Sequence, residues 1–136
     1  MSLLSRKGLL AITAVVDIAL HARGRPVSAK ALAARNTLPP RHLEPVLQAL
    51  VREGILKGVR GPRGGYELGR ERRRITAEEI LRATVALDEA EASFAGSRLL
   101  DQVVLPAVAQ AERAFSAALA RINVDDLAQR VQGPEA

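Results

Sequence analysis

The chain changes its hydrophobic period at Gly54, and that change limits the folds open to it. Before Gly54 apolar residues recur every three to four positions, the period of an α-helix. After it, Ile55, Leu56 and Val59 fit a short strand, and Tyr66-Glu67-Leu68 alternates as a returning strand. Between them lies Gly61-Pro62-Arg63-Gly64-Gly65, a turn built from residues with free or fixed backbone angles. A β-hairpin over 55–68 therefore follows a helical segment.

That segment divides into three helices. Residues 6–22 carry Leu9, Ile12, Val16, Ala19 and Leu20 at helical spacing, with Ser5 as the cap and Gly24 and Pro26 as the stop. Ser28 caps a short helix over 29–35, with Ala31, Leu32 and Ala34 expected inward. Asn36 and Thr37 form the turn. A third helix reaches Glu53 on Leu43, Val46, Leu47, Leu50 and Val51, and Gly54 ends it. Pro39, Pro40 and Pro45 crowd its start, and Pro45 lacks a backbone donor, so regular helix is expected only from about Pro45.

Beyond the hairpin, Gly69 to Arg74 is a charged connection. Thr76 with Glu79 forms a capping box for a helix to about Val85, with Ile80 and Leu81 apolar. Residues 88–98 read as an acidic loop. A long helix then ends near Ile122. Val104, Val108, Ala111, Phe115, Ala118 and Ile122 are spaced 4, 3, 4, 3, 4, which is an a/d seam for a partner helix. Pro106 either opens the regular helix or kinks it. Asn123 caps a last helix over 124–131.

Composition removes several functions. The chain has no Cys, two His and 2% aromatic residues. Disulfides, thiolate metal sites and thiol catalysis are excluded, and base-stacking platforms are disfavoured. No apolar run reaches a membrane span and no signal-peptide layout is present, so a cytoplasmic protein without membrane partners is expected. No Gly-rich loop ending in Lys-Ser/Thr and no His pair at metal spacing is present, so neither an enzyme, nor a metal site, nor a cofactor is expected.

Charge is divided. Residues 1–75 hold fifteen basic and five acidic side chains, and residues 76–136 hold five basic and ten acidic. A basic head of net +10 joined to an acidic tail suits a polyanion partner.

Helix, short helix, turn, helix and β-hairpin is a winged helix-turn-helix. The expected fold is mainly α with this small hairpin, plus a long C-terminal dimerisation helix. Residues 1–75 would form the DNA-binding region. Residues 76–136 would supply a linker helix, the acidic loop and the dimer helix, with helix 6–22 available to join the dimer core. Arg41, His42 and Glu44 open the helix that would enter the major groove. Arg60 and Arg63 flank the wing tip, where Arg suits phosphates and narrow minor grooves.

The chain also resembles the Rrf2 family of bacterial winged-helix regulators. The resemblance rests on Ser5-Arg6-Lys7-Gly8, on Leu43-Glu44, on Val59-Arg60-Gly61-Pro62-Arg63-Gly64-Gly65-Tyr66, and on Ile122-Asn123-Val124-Asp125-Asp126-Leu127. It implies a homodimer that binds a palindromic operator in double-stranded DNA, most simply as a repressor. Ser5, Lys7, Ser28 and Gly64 join the expected DNA-contacting set. Sensor members carry three Cys and a further ligand in the loop and at the start of the long helix. The matching region here has no Cys, and Gln102 and Leu105 stand where the last Cys and a following His would fall. The resemblance is thus to a clusterless branch, without an iron–sulfur cofactor. A small-molecule effector and a partner protein both stay open, and the competing reading is a winged-helix adaptor that binds protein instead of DNA.

Overall fold

A computed structural model describes residues 5–89 and 99–132. Its elements are α1 (Arg6–His21), α2 (Ala29–Asn36), α3 (Pro40–Arg52), β1 (Leu56–Val59), β2 (Gly65–Leu68), α4 (Ala77–Glu89), α5 (Leu105–Leu119) and α6 (Val124–Gln132). A 3-10 turn over Arg72–Arg74 precedes α4, and a π turn over Leu100–Val104 precedes α5. β1 and β2 pair antiparallel with Leu56 opposite Leu68 and Val59 opposite Gly65. The architecture is mainly helical with a two-stranded wing.

α1 is the central element and packs on α2, α3, α4, α6 and β2. The residues expected to face inward were Leu9, Ile12, Val16, Ala19 and Leu20. Of these Ala19 is buried and Ile12 packs partly buried on the core, while Leu9 is 49% exposed; the rest of the buried set is Gly8, Ala11, Ala14, Val15, Asp17 and Ile18. Apart from Asp17 both stripes are apolar, so periodicity alone could not choose. Small side chains decide it, because α4 approaches closely: a Cβ on Gly8 would lie 2.5 Å from Leu81 Cδ2. In α2 the inward residues are Leu32 and Ala33, while Ala34 is exposed.

α3 corrects a second expectation. It begins at Pro40, not near Pro45, and Pro45 lies inside it. Pro40 needs no donor at the first helical position, and the first turn tightens through His42 N donating to Pro39 O at 3.1 Å. Pro45 forgoes one bond to the Arg41 carbonyl without ending the helix. Leu43, Val46, Leu47 and Leu50 are buried together with Ile18, Leu32, Ile55, Ile75, Ile80 and Val124 in one core.

The C-terminal half differs from expectation in length. α4 continues past Val85 to Glu89, and the remainder of the expected acidic loop, 90–98, lies outside the described residues. The Thr76–Glu79 capping box is present: Glu79 N donates to Thr76 Oγ1 and Thr76 N donates to Glu79 Oε1. Asn123 and Asp126 repeat it at α6. Pro106 sits in the first turn of α5, without a kink inside the regular helix. α5 ends at Leu119, so Ile122 is not on it. Ile122 belongs to the turn into α6, where its carbonyl accepts from Ala77 N at 2.8 Å.

Asp17 is the buried charge of the core, 5% exposed. Arg35 donates to it twice, Nε to Oδ2 at 2.9 Å and Nη2 to Oδ1 at 2.8 Å, and Asn36 Nδ2 donates at 2.8 Å. Burial pushes this carboxyl up; the Arg35 and Asn36 hydrogen bonds and the nearby positive groups outweigh burial and leave the pKa below its ordinary value. Asp17→Asn should therefore lower stability by about 2 kcal/mol in urea titrations near neutral pH. A depressed folded pKa gives stability that is present above the unfolded value of 3.8 and is lost as pH falls through the folded one. The gap between the native chain and Asp17→Asn should close on acidification below about pH 4. A gap of constant size at every pH would contradict this account.

Candidate nucleic-acid interface

Three segments are brought together on one side of the core by backbone bonding. Val27 N donates to Tyr66 O at 2.9 Å, and Tyr66 N donates to Val27 O at 2.8 Å. This bridge fastens the wing, close to its turn, to the residue before the α2 cap. Tyr66 packs against the core. Its hydroxyl pKa is pushed up by burial and by the charge of Glu44, so the first turns of α3 face the wing.

Ser28 caps α2 by accepting from Ala31 N, and Ser5 caps α1 by accepting from Gly8 N, both at 3.0 Å. Both hydroxyls stand at helix N-termini, where backbone donors and the dipole favour an anion. Lys7 is half-buried, and its Nζ lies 3.5 Å from the Leu87 carbonyl. Arg41, His42 and Glu44 are exposed on α3, because Leu43 between them is the residue turned inward. Arg60 and Arg63 are exposed at the wing tip. Among the described residues no carboxylate lies within ion-pair distance of Arg41, Arg60 or Arg63. Gly64 closes the tip through its N–H to Gly61 O at 2.9 Å.

Other cations are withdrawn from that surface. Arg35 is held by Asp17, Arg70 by Glu79 at 3.0 Å and Arg72 by Asp125 at 2.9 Å. Arg82 pairs with Glu78. His21 Nδ1 lies 2.9 Å from the Asp17 backbone carbonyl, an ordinary use of His at a helix end.

The expected partner seam looks outward. No residue of α5 is buried; Val108 and Phe115 are half-buried, and Ala111 and Ala118 are exposed. Val104 falls in the π turn and is 42% exposed. Leu99, Val103 and Leu105 extend the same exposed apolar region.

Residues 4–130 match the Rrf2 family, described as iron-dependent transcriptional regulators. The chain belongs to the Rrf2 family. The HTH-type transcriptional regulator IscR of Xenorhabdus nematophila is 39% identical over 80 residues, 59% of this chain and 49% of that protein. The chain spans about half the length of the first curated relatives it matches. Among solved structures, T. potens IscR superposes with a TM-score of 0.73 at 30% identity, covering 94% of this chain and 87% of that one. CymR, the global cysteine regulator of B. subtilis, gives 0.72 at 27%, covering 93% and 96%. Family members are regulators of transcription and not enzymes.

The family description names iron, and the side chains here do not fit a thiolate-held cluster. The chain has no Cys. Among the described residues no three His, Cys, Asp or Glu side chains gather as a metal site. Gln102 and Leu105 are both exposed, and Leu105 has no ligating atom.

Sequence reasoning missed the bridge that holds the wing to Val27. Gly65 was the available signal. A Cβ there would lie 2.3 Å from the Val27 carbonyl oxygen. Gly65→Ala should therefore detach the wing from Val27, with loss of hydrogen-exchange protection at Tyr66 and Val27 and about 1–3 kcal/mol of stability. Gly58→Ala, on the same hairpin with nothing within 4 Å of the new Cβ, should stay within about 0.5 kcal/mol. Equal effects from the two substitutions would refute the close-approach explanation.

Proposed function

We propose that this chain is a homodimeric, sequence-specific DNA-binding repressor that reads an inverted repeat without an iron–sulfur cluster. One observation carries the reading. Arg41, Arg60 and Arg63, without an ion-pair partner among the described residues, and the exposed Glu44 stand on a helix start and a wing tip that are held to one another through Val27, Tyr66 and the core. Residues 1–75 act as the reading head. Residues 76–136 supply α4, the dimer helix α5 and the brace α6. No described helix is long and apolar enough to cross a membrane, and the protein works in the cytoplasm beside its DNA.

The elements divide the work. Arg60 and Arg63 meet the sugar–phosphate backbone and the minor groove, which sets affinity. Arg41, His42 and Glu44 reach base edges in the major groove, which sets sequence preference. Ser5, Lys7, Ser28 and Gly64 contact the backbone, because helix N-termini and a side-chain-free tip let phosphates approach. The two-fold axis of the dimer requires half-sites about one helical turn apart, or a multiple of that. Genomic selection with purified protein followed by mobility shifts tests the reading. A protein that holds no selected fragment more tightly than random DNA would overturn it.

On a selected operator, Arg63→Ala should weaken binding to every base variant and lower the salt slope by about one unit. Glu44→Ala should leave that slope in place and relax preference at one position per half-site, by roughly 1–3 kcal/mol. Base preference lost through Arg63 and kept without Glu44 would move readout to the wing.

The exposed seam generates a separate expectation. Val108→Glu or Phe115→Glu would place an unpaired charge in the dimer contact, at a cost of several kcal/mol (about 3–5). Light scattering should then give the monomer mass while helical circular dichroism persists. A dimer unchanged by both substitutions would place the interface elsewhere.

A further inference from the structure

Among the described residues Thr37 is the one non-glycine residue with a positive φ, at φ 52° and ψ 50°. It closes α2: its N–H and that of Leu38 both donate to the Ala33 carbonyl, the second at 2.9 Å. A left-handed closure of this kind usually falls on Gly, less often on Asn, and it strains a β-branched side chain. The surroundings leave the backbone no other path. Asn36 is held by Asp17 and by the Leu32 carbonyl, and Leu38 packs against the core. Leu38 and Pro39 each precede a proline, which keeps them out of the helical region. The side chain is under no such constraint. Thr37 is exposed, and its hydroxyl has no hydrogen-bond partner among the described residues. Glycine would close the same turn without strain, so nothing in the fold accounts for threonine.

We infer that the Thr37 hydroxyl is a DNA contact, donating to a phosphate oxygen beside the start of α3, and that this contact is what the strained turn serves. Strained backbone persists where the surroundings over-determine it, and it gathers at functional sites. The residues that follow show why a donor is wanted there. A helix start ordinarily offers a phosphate its free backbone N–H groups. Here Pro39 holds the cap position without a side-chain bond and Pro40 follows it. Neither has a backbone N–H, and His42 N is spent on the Pro39 carbonyl. Thr37 lies four residues ahead of Arg41, so it is no more than about 14 Å from it along the chain. Leu38 and Pro39 border the α1 side of this turn and Thr37 does not, which leaves its hydroxyl outside that apolar face. The inference rests on the proposed DNA reading and adds to it a neutral contact beside the charged ones.

Three variants of the full-length protein separate contact from strain. Thr37→Val keeps the β-branched shape and removes the hydroxyl. Thr37→Ser keeps the hydroxyl. Thr37→Gly removes the side chain and the strain together. On a labelled operator recovered by genomic selection, Thr37→Val and Thr37→Gly should bind about three- to tenfold more weakly, and Thr37→Ser should stay within about twofold of the native chain. The salt slope should not change, because the donor is uncharged, and the loss should be equal on every base variant of the operator. Without DNA, Thr37→Gly should raise the thermal midpoint by about 2–5 °C, and Thr37→Val should leave it near the native value. Higher stability with weaker binding is a combination that a purely structural residue does not give. Native affinity in Thr37→Val, or a loss in Thr37→Ser as large as that in Thr37→Val, would overturn the proposal and leave the DNA reading standing. A Thr37→Gly chain no more stable than the native one would remove the strain argument, and the proposal with it. If the native chain selects no operator, the DNA reading fails and the Thr37 contact fails with it.

Discussion

Asp17 places a carboxylate inside the core, and a carboxylate there is costly unless every oxygen is satisfied. Three donors from the end of α2 meet that demand, two from Arg35 and one from Asn36. The bonds run in one direction of consequence. They fix where α2 must stop relative to α1, and so where the turn at Thr37 delivers the chain into α3. The proline-rich start of α3 then has no freedom to slide, since Leu43 is pinned in the core between the outward Arg41, His42 and Glu44. An apolar contact would hold α1 and α2 together as firmly. It would not specify a single rotation between them, because apolar surfaces tolerate small slips that a bidentate Arg–carboxylate pair does not.

The wing is held from both ends by a different set of contacts. Close to its turn it is bridged to Val27. Its exit is tied to the C-terminal elements: Arg70 to Glu79 on α4, Arg72 to Asp125 on α6, and the Thr76–Asn123 bridge flanked by Ala77 N to Ile122 O and Val124 N to Ile75 O. The turn after α5 is therefore stitched to the segment that leaves the wing. Wing and α3 thus share one support at Val27 and the core, and the wing has a second at α4 and α6.

The order of elements, the hairpin and the caps at Ser5, Ser28, Thr76 and Asn123 were legible because each is a local signal. A hydroxyl or amide sits one residue ahead of an apolar period, or glycine and proline cluster between two strands. The inward face of α1 was not legible, since the buried stripe is made of smaller side chains and carries Asp17, and the choice depends on how near α4 comes and on Arg35 and Asn36 meeting that carboxylate. Pro45 misled for a related reason. A proline in a helix loses one bond, and the loss near the first turn is small against the burial of Val46, Leu47 and Leu50 on the same helix. Long-range pairs such as Arg72 with Asp125, 53 residues apart, leave no mark in a single sequence. Asp17 did leave one, as a lone acid in an apolar helix, and its meaning became visible only with Arg35 and Asn36 beside it.

Net charge illustrates what such pairing does to function. The first 75 residues carry +10 by composition, but that figure does not describe the field a DNA phosphate would meet. Arg35, Arg70 and Arg72 are committed to Asp17, Glu79 and Asp125, and Arg74 lies 3.5 Å from Glu71. These pairs brace the scaffold and project little charge beyond a Debye length. Arg41, Arg60 and Arg63 have no such partner among the described residues, and they are the ones on the exposed helix start and wing tip. Arginine thus stands in two settings in one small fold, tied to a carboxylate at Arg35, Arg70 and Arg72, and without one among the described residues at Arg41, Arg60 and Arg63. The division follows from where carboxylates were placed: Asp17 on α1, Glu79 on α4 and Asp125 on α6 each hold one arginine, and among the described residues none lies within ion-pair distance of Arg41, Arg60 or Arg63.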